Sequence, residues 1–128
     1  LGITQLQKND KGVKRRNELA NNYKTAFTGK IKFQSLGQGI LNAHHLFVIE
    51  IDKRKELYEF LRSYHIFTQI HYIPLHTTPY YQRISLEYGD LSNSEKYYNR
   101  CISLPMYPSL SNTDQKFVIS KILEFING

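Results

Sequence analysis

Hydrophobic positions along the chain follow two different periods, and the switch between them marks out the elements. In residues 1–29, Leu19, Tyr23 and Phe27 recur every four positions with Ala20 and Ala26 beside them, while the remainder is polar. That is the pattern of a helix burying one stripe. Asn9-Asp10-Lys11-Gly12 predicts an interruption or a restart, because Gly and Asp both weaken a helix interior. Gly29 predicts the stop. Residues 30–43 read as loop, with Gly37 and Gly39 allowing tight turns. Leu46-Phe47-Val48-Ile49-Glu50-Ile51 is nearly continuously apolar, which predicts a strand covered on both faces. Asp52 is the expected N-cap of a helix over residues 53–64, where Leu57, Phe60, Leu61 and Tyr64 make one stripe. Residues 66–72 return as a second strand. Ser92 and Glu95 have capping-box spacing and predict a helix through about Arg100; residues 102–104 follow as a third short strand, closed by Pro105 and Pro108. Ser111 and Asp114 repeat the capping spacing ahead of a last helix carrying Val118, Ile122, Phe125 and Ile126.

The order is a helix, a strand–helix–strand unit, short helices, a strand and a final helix. This is an α/β (α+β) arrangement: a small three-stranded sheet needs helices on at least one face. A length of 128 residues fits one domain, residues 1–128, and 41% hydrophobic residues suit a packed core rather than disorder. No apolar run approaches the roughly 20 residues of a membrane span, and no charged-then-apolar leader opens the chain. The first residue is Leu1 rather than Met, consistent with a piece of a longer protein or a processed product whose function is shared with other residues. The single cysteine, Cys101, excludes an internal disulfide framework and fits a reducing, cytoplasmic compartment; its apolar neighbours favour a small buried hydrophobe over a reactive thiol. A formal charge of +6 is unevenly placed, with Lys8, Lys11, Lys14, Arg15 and Arg16 against Asp10. A solvated helix face accounts for that run more simply than a nucleic-acid surface.

Candidate chemistry concentrates in residues 71–81, His71-Tyr72-Ile73-Pro74-Leu75-His76-Thr77-Thr78-Pro79-Tyr80-Tyr81. Proline removes a backbone donor and fixes φ, so the imidazoles and phenols stand on a rigid, extended turn at a strand end rather than within a repeating element. His71 and His76 are five apart around a proline and have no acidic or Cys partner close in sequence, which disfavours a metal site. An imidazole here suits acid–base work or, with fewer demands, hydrogen bonding to a polar ligand. Tyr72, Tyr80 and Tyr81 suit stacking or hydroxyl contacts with a sugar, nucleotide or phosphate; packing on the surface with hydroxyls in water is the equally open alternative. For His44-His45, hydrogen bonding at the start of the first strand is the simpler account.

Four blocks of the sequence carry a resemblance. Leu1-Gly2-Ile3-Thr4-Gln5-Leu6, with Arg15-Arg16-Asn17-Glu18-Leu19-Ala20-Asn21-Asn22-Tyr23, resembles the interdomain helix of the DegT–StrS family of sugar aminotransferases. Ala43-His44-His45-Leu46-Phe47-Val48-Ile49 resembles the start of that family's small-domain sheet, and His71-Tyr72-Ile73-Pro74-Leu75-His76 and Ser103-Leu104-Pro105-Met106-Tyr107-Pro108 follow in the family's order. Within the family, the likeness is nearest to the pseudaminic acid branch. His44, where an aromatic is common, and the polar Asn9–Gly12 stretch depart from the family's pattern.

The resemblance implies a C-terminal small domain of a fold-type I pyridoxal-phosphate enzyme. Its sheet would be mostly antiparallel, with residues 1–29 as linking helix and residues 30–128 as the sheet-and-helix lobe. It implies transfer of an amino group from glutamate to a UDP-linked 4-keto-6-deoxy-hexose, in a homodimer. The Schiff-base lysine would lie on an N-terminal large domain, because the family's Ser-x-His-x-x-Lys run has no counterpart here. No cofactor, nucleic acid or membrane is then expected on this chain alone, and by itself it should not transaminate. The resemblance places His71 against the nucleotide sugar, followed by His76 and Tyr72 and then Tyr80, with no catalytic residue and no metal ligand among them. It gives Arg15-Arg16 packing and interdomain salt bridges. The alternatives from other classes are a basic nucleic-acid-binding module and a structural or oligomerising one.

Overall fold

The computed structural model describes residues 2–37, 39–40, 42–84, 87 and 89–128, with Gln5 described by its backbone alone. Leu1, which opens the first resembling block, and Gln38 and Leu41 in the expected loop lie outside the described residues, as do Ser85, Leu86 and Tyr88.

The first helix, α1, runs Gly2–Phe27. It is unbroken across Asn9–Gly12, where an interruption was expected: the buried stripe of Leu19, Ala20, Tyr23 and Phe27 lies further along and anchors the helix regardless. Gly29, at φ +74°, ends it in the left-handed region that favours glycine. Two strands follow, β1 (Lys32–Phe33) and β2 (Phe47–Glu50), then helix α2 (Arg54–Ser63). Asp52 does not cap α2. The N-cap position is Lys53, without a side-chain cap bond, and the Asp52 carboxylate instead meets Arg100 at 2.9 Å. A single 3₁₀ turn at Leu75–Thr77 leads into the short α3 (Pro79–Arg83). Pro79 occupies the start of α3, where its missing N–H costs nothing.

Helix α4 (Ser92–Arg100) begins where the capping spacing predicted, but the bonding differs. Leu91 is the cap residue, and the Asp90 carboxylate accepts from the Ser92 N–H at 2.9 Å. Strand β3 is Cys101–Leu104 and the last helix, α5, is Asn112–Asn127. Here the expected cap forms: Ser111 Oγ accepts from the Asp114 N–H at 3.0 Å and donates to the Asp114 carboxylate at 2.6 Å.

The sheet order is β1-β2-β3, antiparallel throughout. Its third member is therefore not residues 66–72 but β1, within the stretch expected to be loop. Residues 66–72 lie beyond β3 and pair with it only through Gln69 and Ser103, whose backbones exchange bonds of 3.2 and 2.8 Å. The next hydrogen-bonded pairs would join Phe67 to Pro105 and His71 to Cys101. Pro105 has no N–H to give. The Cys101 N–H is already bound to the Tyr97 carbonyl at the end of α4. Both extensions of the ladder are thus disabled, and the chain is freed to turn at Ile73-Pro74.

Alternation along the strands decides what each face does. Phe47, Ile49, Ile102 and Leu104 meet the apolar stripes of α1, α2 (Leu57, Leu61) and α5 (Val118, Ile122) in one buried core. Val48, Glu50, Cys101 and Ser103 fall on the opposite face by register. Among the described residues no helix is long and apolar enough to cross a membrane.

Candidate substrate cleft

The end of β3, the segment through His71 and the start of α5 enclose an open cleft of about 550 Å³. Its polar lining includes His45, His65, Gln69, His71, Ser103 and Asp114; Tyr64, Phe67, Met106, Tyr107 and Phe117 give it apolar and aromatic walls. Two blocks singled out in the sequence, the histidine turn and Ser103–Pro108, therefore meet in one place although 32 residues separate His71 from Ser103.

His71 is half-buried and held at two points. Its Nδ1 hydrogen-bonds Ser103 Oγ at 2.9 Å, and its carbonyl accepts from the Cys101 thiol at 3.7 Å. The same thiol also reaches the Tyr98 carbonyl at 3.6 Å. Burial pushes the Cys101 thiol up from its ordinary value, so it stays a protonated donor at neutral pH. Cys101 is fully buried, as its apolar neighbours predict.

The other three candidates stand elsewhere on the corner. Tyr72 is 74% exposed, its ring edge-on to His71 with centroids 4.7 Å apart. His76 Nε2 faces the Glu95 carboxylate on α4 at 2.9 Å. Tyr80 is largely exposed and packs edge-to-face on Tyr81 at 5.3 Å. None of the three borders the cleft that His71 borders. The turn carrying them is stiffened by Thr77 and Thr78, whose hydroxyls donate to the Pro74 and Leu75 carbonyls at 2.7 and 2.8 Å.

The long helix secures the loops behind the cleft. Tyr23 donates its hydroxyl to the Pro105 carbonyl at 2.9 Å. Arg15 reaches the Leu110 carbonyl and the Asn112 side chain at 2.8 and 2.7 Å and pairs with Glu18; Arg16 reaches the Ala43 carbonyl at 2.7 Å. These two arginines tie elements of this lobe together. His44 is buried three residues ahead of β2, its backbone N–H donating to Asn42 Oδ1 at 2.7 Å; burial, helped by Lys24 and Arg16, lowers its imidazole pKa from the ordinary value. Reading the sequence missed Ser103, Gln69, His65 and Phe67. A signal existed for Ser103, a hydroxyl inside an otherwise apolar strand, which demands a partner.

The fit of the lobe to pyridoxal phosphate can be judged from the lining. Among the described residues no lysine or arginine borders the cleft, and Lys32, which borders a separate hollow, is paired with Glu50 at 3.0 Å. The described residues of the cleft thus offer neither an amine for the cofactor's aldehyde nor a lysine or arginine for its phosphate. Among the described residues no three His, Cys, Asp or Glu side chains group as metal ligands would.

Comparison with known proteins follows the same line. Residues 1–123 match the model of the DegT/DnrJ/EryC1/StrS aminotransferase family. Spore coat polysaccharide biosynthesis protein SpsC of Bacillus subtilis is 37% identical over 139 residues, covering 100% of this chain and 36% of that protein. UDP-4-amino-4,6-dideoxy-N-acetyl-beta-L-altrosamine transaminase of Campylobacter jejuni is 32% identical, covering 92% of this chain and 33% of its own length. A DegT DnrJ EryC1 StrS aminotransferase from Brucella abortus superposes with a TM-score of 0.90 at 31% identity, covering 98% of this chain and 34% of that one. The chain belongs to the DegT/DnrJ/EryC1/StrS aminotransferase family. It spans about a third of the length of the curated relatives it matches.

Proposed function

We propose that this chain is the C-terminal small domain of a cytoplasmic, homodimeric pyridoxal-phosphate-dependent aminotransferase acting on nucleotide sugars, in which residues 1–29 link to a large domain and residues 30–128 form one wall of the substrate pocket. The cofactor supplies the electron sink through which an amino group passes from glutamate to a UDP-linked 4-keto-6-deoxy-hexose. It is held by the large domain, since the cleft here brings neither lysine nor arginine to it among the described residues.

The observation that carries the reading is the cleft itself, with an imidazole presented from a stiff corner among aromatic walls in a chain of this family. A neutral imidazole donates and accepts, which matches neighbouring sugar hydroxyls. Because the wall carries no lysine or arginine among the described residues, it suits the uncharged sugar and base, with the diphosphate met by charges on the large domain. His76, Tyr72 and Tyr80 stand on the same corner outside the cleft, where they would meet the part of a nucleotide sugar that reaches beyond it, and the exposed Ile73 and Leu75 between them suit cover by the large domain. The substrate class follows the Campylobacter jejuni relative, whose name states a UDP-amino-sugar transaminase, and points to the pseudaminic acid branch. A nucleic-acid module gains no support, since Arg15 and Arg16 direct their donors into the lobe.

The test is an amino-transfer assay on the complete protein, supplied with pyridoxal phosphate, glutamate and a UDP-linked 4-keto-6-deoxy-hexose. The expected products are the 4-amino sugar and 2-oxoglutarate, with none formed by this chain alone. Failure of the complete protein to aminate any 4-keto nucleotide sugar would reject the proposal.

A further inference from the structure

We propose that Ser103 is a positioning residue for His71, fixing the imidazole so that Nε2, and not Nδ1, is the atom offered to the substrate. The inference rests on reading His71 as a substrate contact.

Ser103 is 4% exposed and its backbone is gripped from both sides. It pairs with Val48 of β2 in register, and its N–H and C=O bond Gln69 at 2.8 and 3.2 Å. Its Oγ therefore stands at a fixed point, 2.9 Å from His71 Nδ1, and has no other hydrogen-bond partner among the described residues. A buried hydroxyl left unbonded is costly, so the serine and the imidazole satisfy each other.

The consequence for His71 is directional. The χ2 torsion of histidine has a broad, roughly two-fold profile, so a ring anchored only at Cβ can present either edge. A hydrogen bond to one ring nitrogen selects the ring orientation and, with it, the role of the other nitrogen. The Cys101 thiol holds the His71 carbonyl and the Tyr72 ring stands edge-on to the imidazole, so backbone and ring plane are constrained as well. Nε2 is left without a hydrogen-bond partner among the described residues, on a side chain that borders the cleft. Ser103 acts through His71 and has no role in the chemistry of its own.

The experiment is a kinetic cycle in the complete aminotransferase carrying this chain. Ser103→Ala, Ser103→Cys, Ser103→Thr, His71→Ala and the Ser103→Ala/His71→Ala pair are assayed with a UDP-linked 4-keto-6-deoxy-hexose and glutamate. Thermal melting serves as the folding control. Ser103→Ala and Ser103→Cys should each raise the sugar KM about three- to tenfold with kcat nearly unchanged, the size of one weakened hydrogen bond. Ser103→Thr, which keeps the hydroxyl, should return KM to within about twofold of the parent, and the paired variant should match His71→Ala alone because coupled residues are not additive. An unchanged KM in His71→Ala overturns both the contact and the positioning role. A raised KM in His71→Ala overturns the positioning role alone if Ser103→Ala is silent or adds its full effect in the paired variant.

Discussion

Tyr23→Ala is expected to destabilise the lobe by about 3–5 kcal/mol, the usual range for deleting a buried aromatic side chain. Tyr23 is fully buried and lies against two further rings, stacked on Phe27 with centroids 5.8 Å apart and tilted against Phe47 at 5.0 Å. Removing it leaves a void between α1 and β2 that neither rigid element can close. Its hydroxyl also donates to the Pro105 carbonyl, and burial pushes that hydroxyl far above its ordinary value, so the donor persists across the accessible pH range. Tyr23→Phe keeps the rings and loses only what the hydroxyl binds, the Pro105 carbonyl and the neighbouring Gln115 side chain, for a cost of about 1 kcal/mol. Urea unfolding of the two variants separates the contributions, and equal losses would show that ring packing contributes little. The bond matters beyond stability, because Pro105 and Met106 line the cleft and Tyr23 is what fastens that loop to the long helix.

Gln115→Leu is the second substitution with a large expected effect, about 1–3 kcal/mol of lost stability. Gln115 is 1% exposed, and its side chain joins the last helix to the first. Nε2 donates to the Leu19 carbonyl at 2.7 Å and Oε1 accepts from Asn22 at 2.9 Å. Leucine has a similar volume, so the loss isolates the polar pairing from the packing. Asn22 is exposed and can turn to water, and the Leu19 carbonyl keeps its bond within α1, so the cost is that of the two lost bridging bonds. A thermal melt indistinguishable from the parent's would show that this bridge is worth nothing net.

The elements that could be read from sequence are those whose own side chains declare a period. The stripe from Leu19 to Phe27, the apolar run at residues 46–51 and the Ser111–Asp114 cap each appear in the structure much as their residues predict. Failures arise where another part of the chain decides. Residues 66–72 have strand composition, yet Pro105 lacks the donor they need and α4 holds the Cys101 N–H, so only Gln69 finds a ladder partner. Strand β1 is two residues long, too short to show any period. Asp52 is placed to cap α2 but is drawn to Arg100 by charge. The candidate site divides in the same way. His71 could be picked out from its turn; Ser103 could not be joined to it, because only the sheet brings the two together. Tyr72, His76 and Tyr80 share the turn with His71 but not its cleft: the Tyr72 ring stands out in solvent, and the 3₁₀ turn after Pro74 carries His76 and Tyr80 toward α4 and α3.

The most direct measurement is a crystal structure of the complete protein with its UDP-linked keto sugar bound. It should show His71 Nε2 within hydrogen-bonding distance, about 2.7–3.2 Å, of a sugar oxygen, with Nδ1 still on Ser103. A nucleotide sugar seated in the pocket with no contact to His71, Tyr72, His76 or Tyr80 would contradict the account.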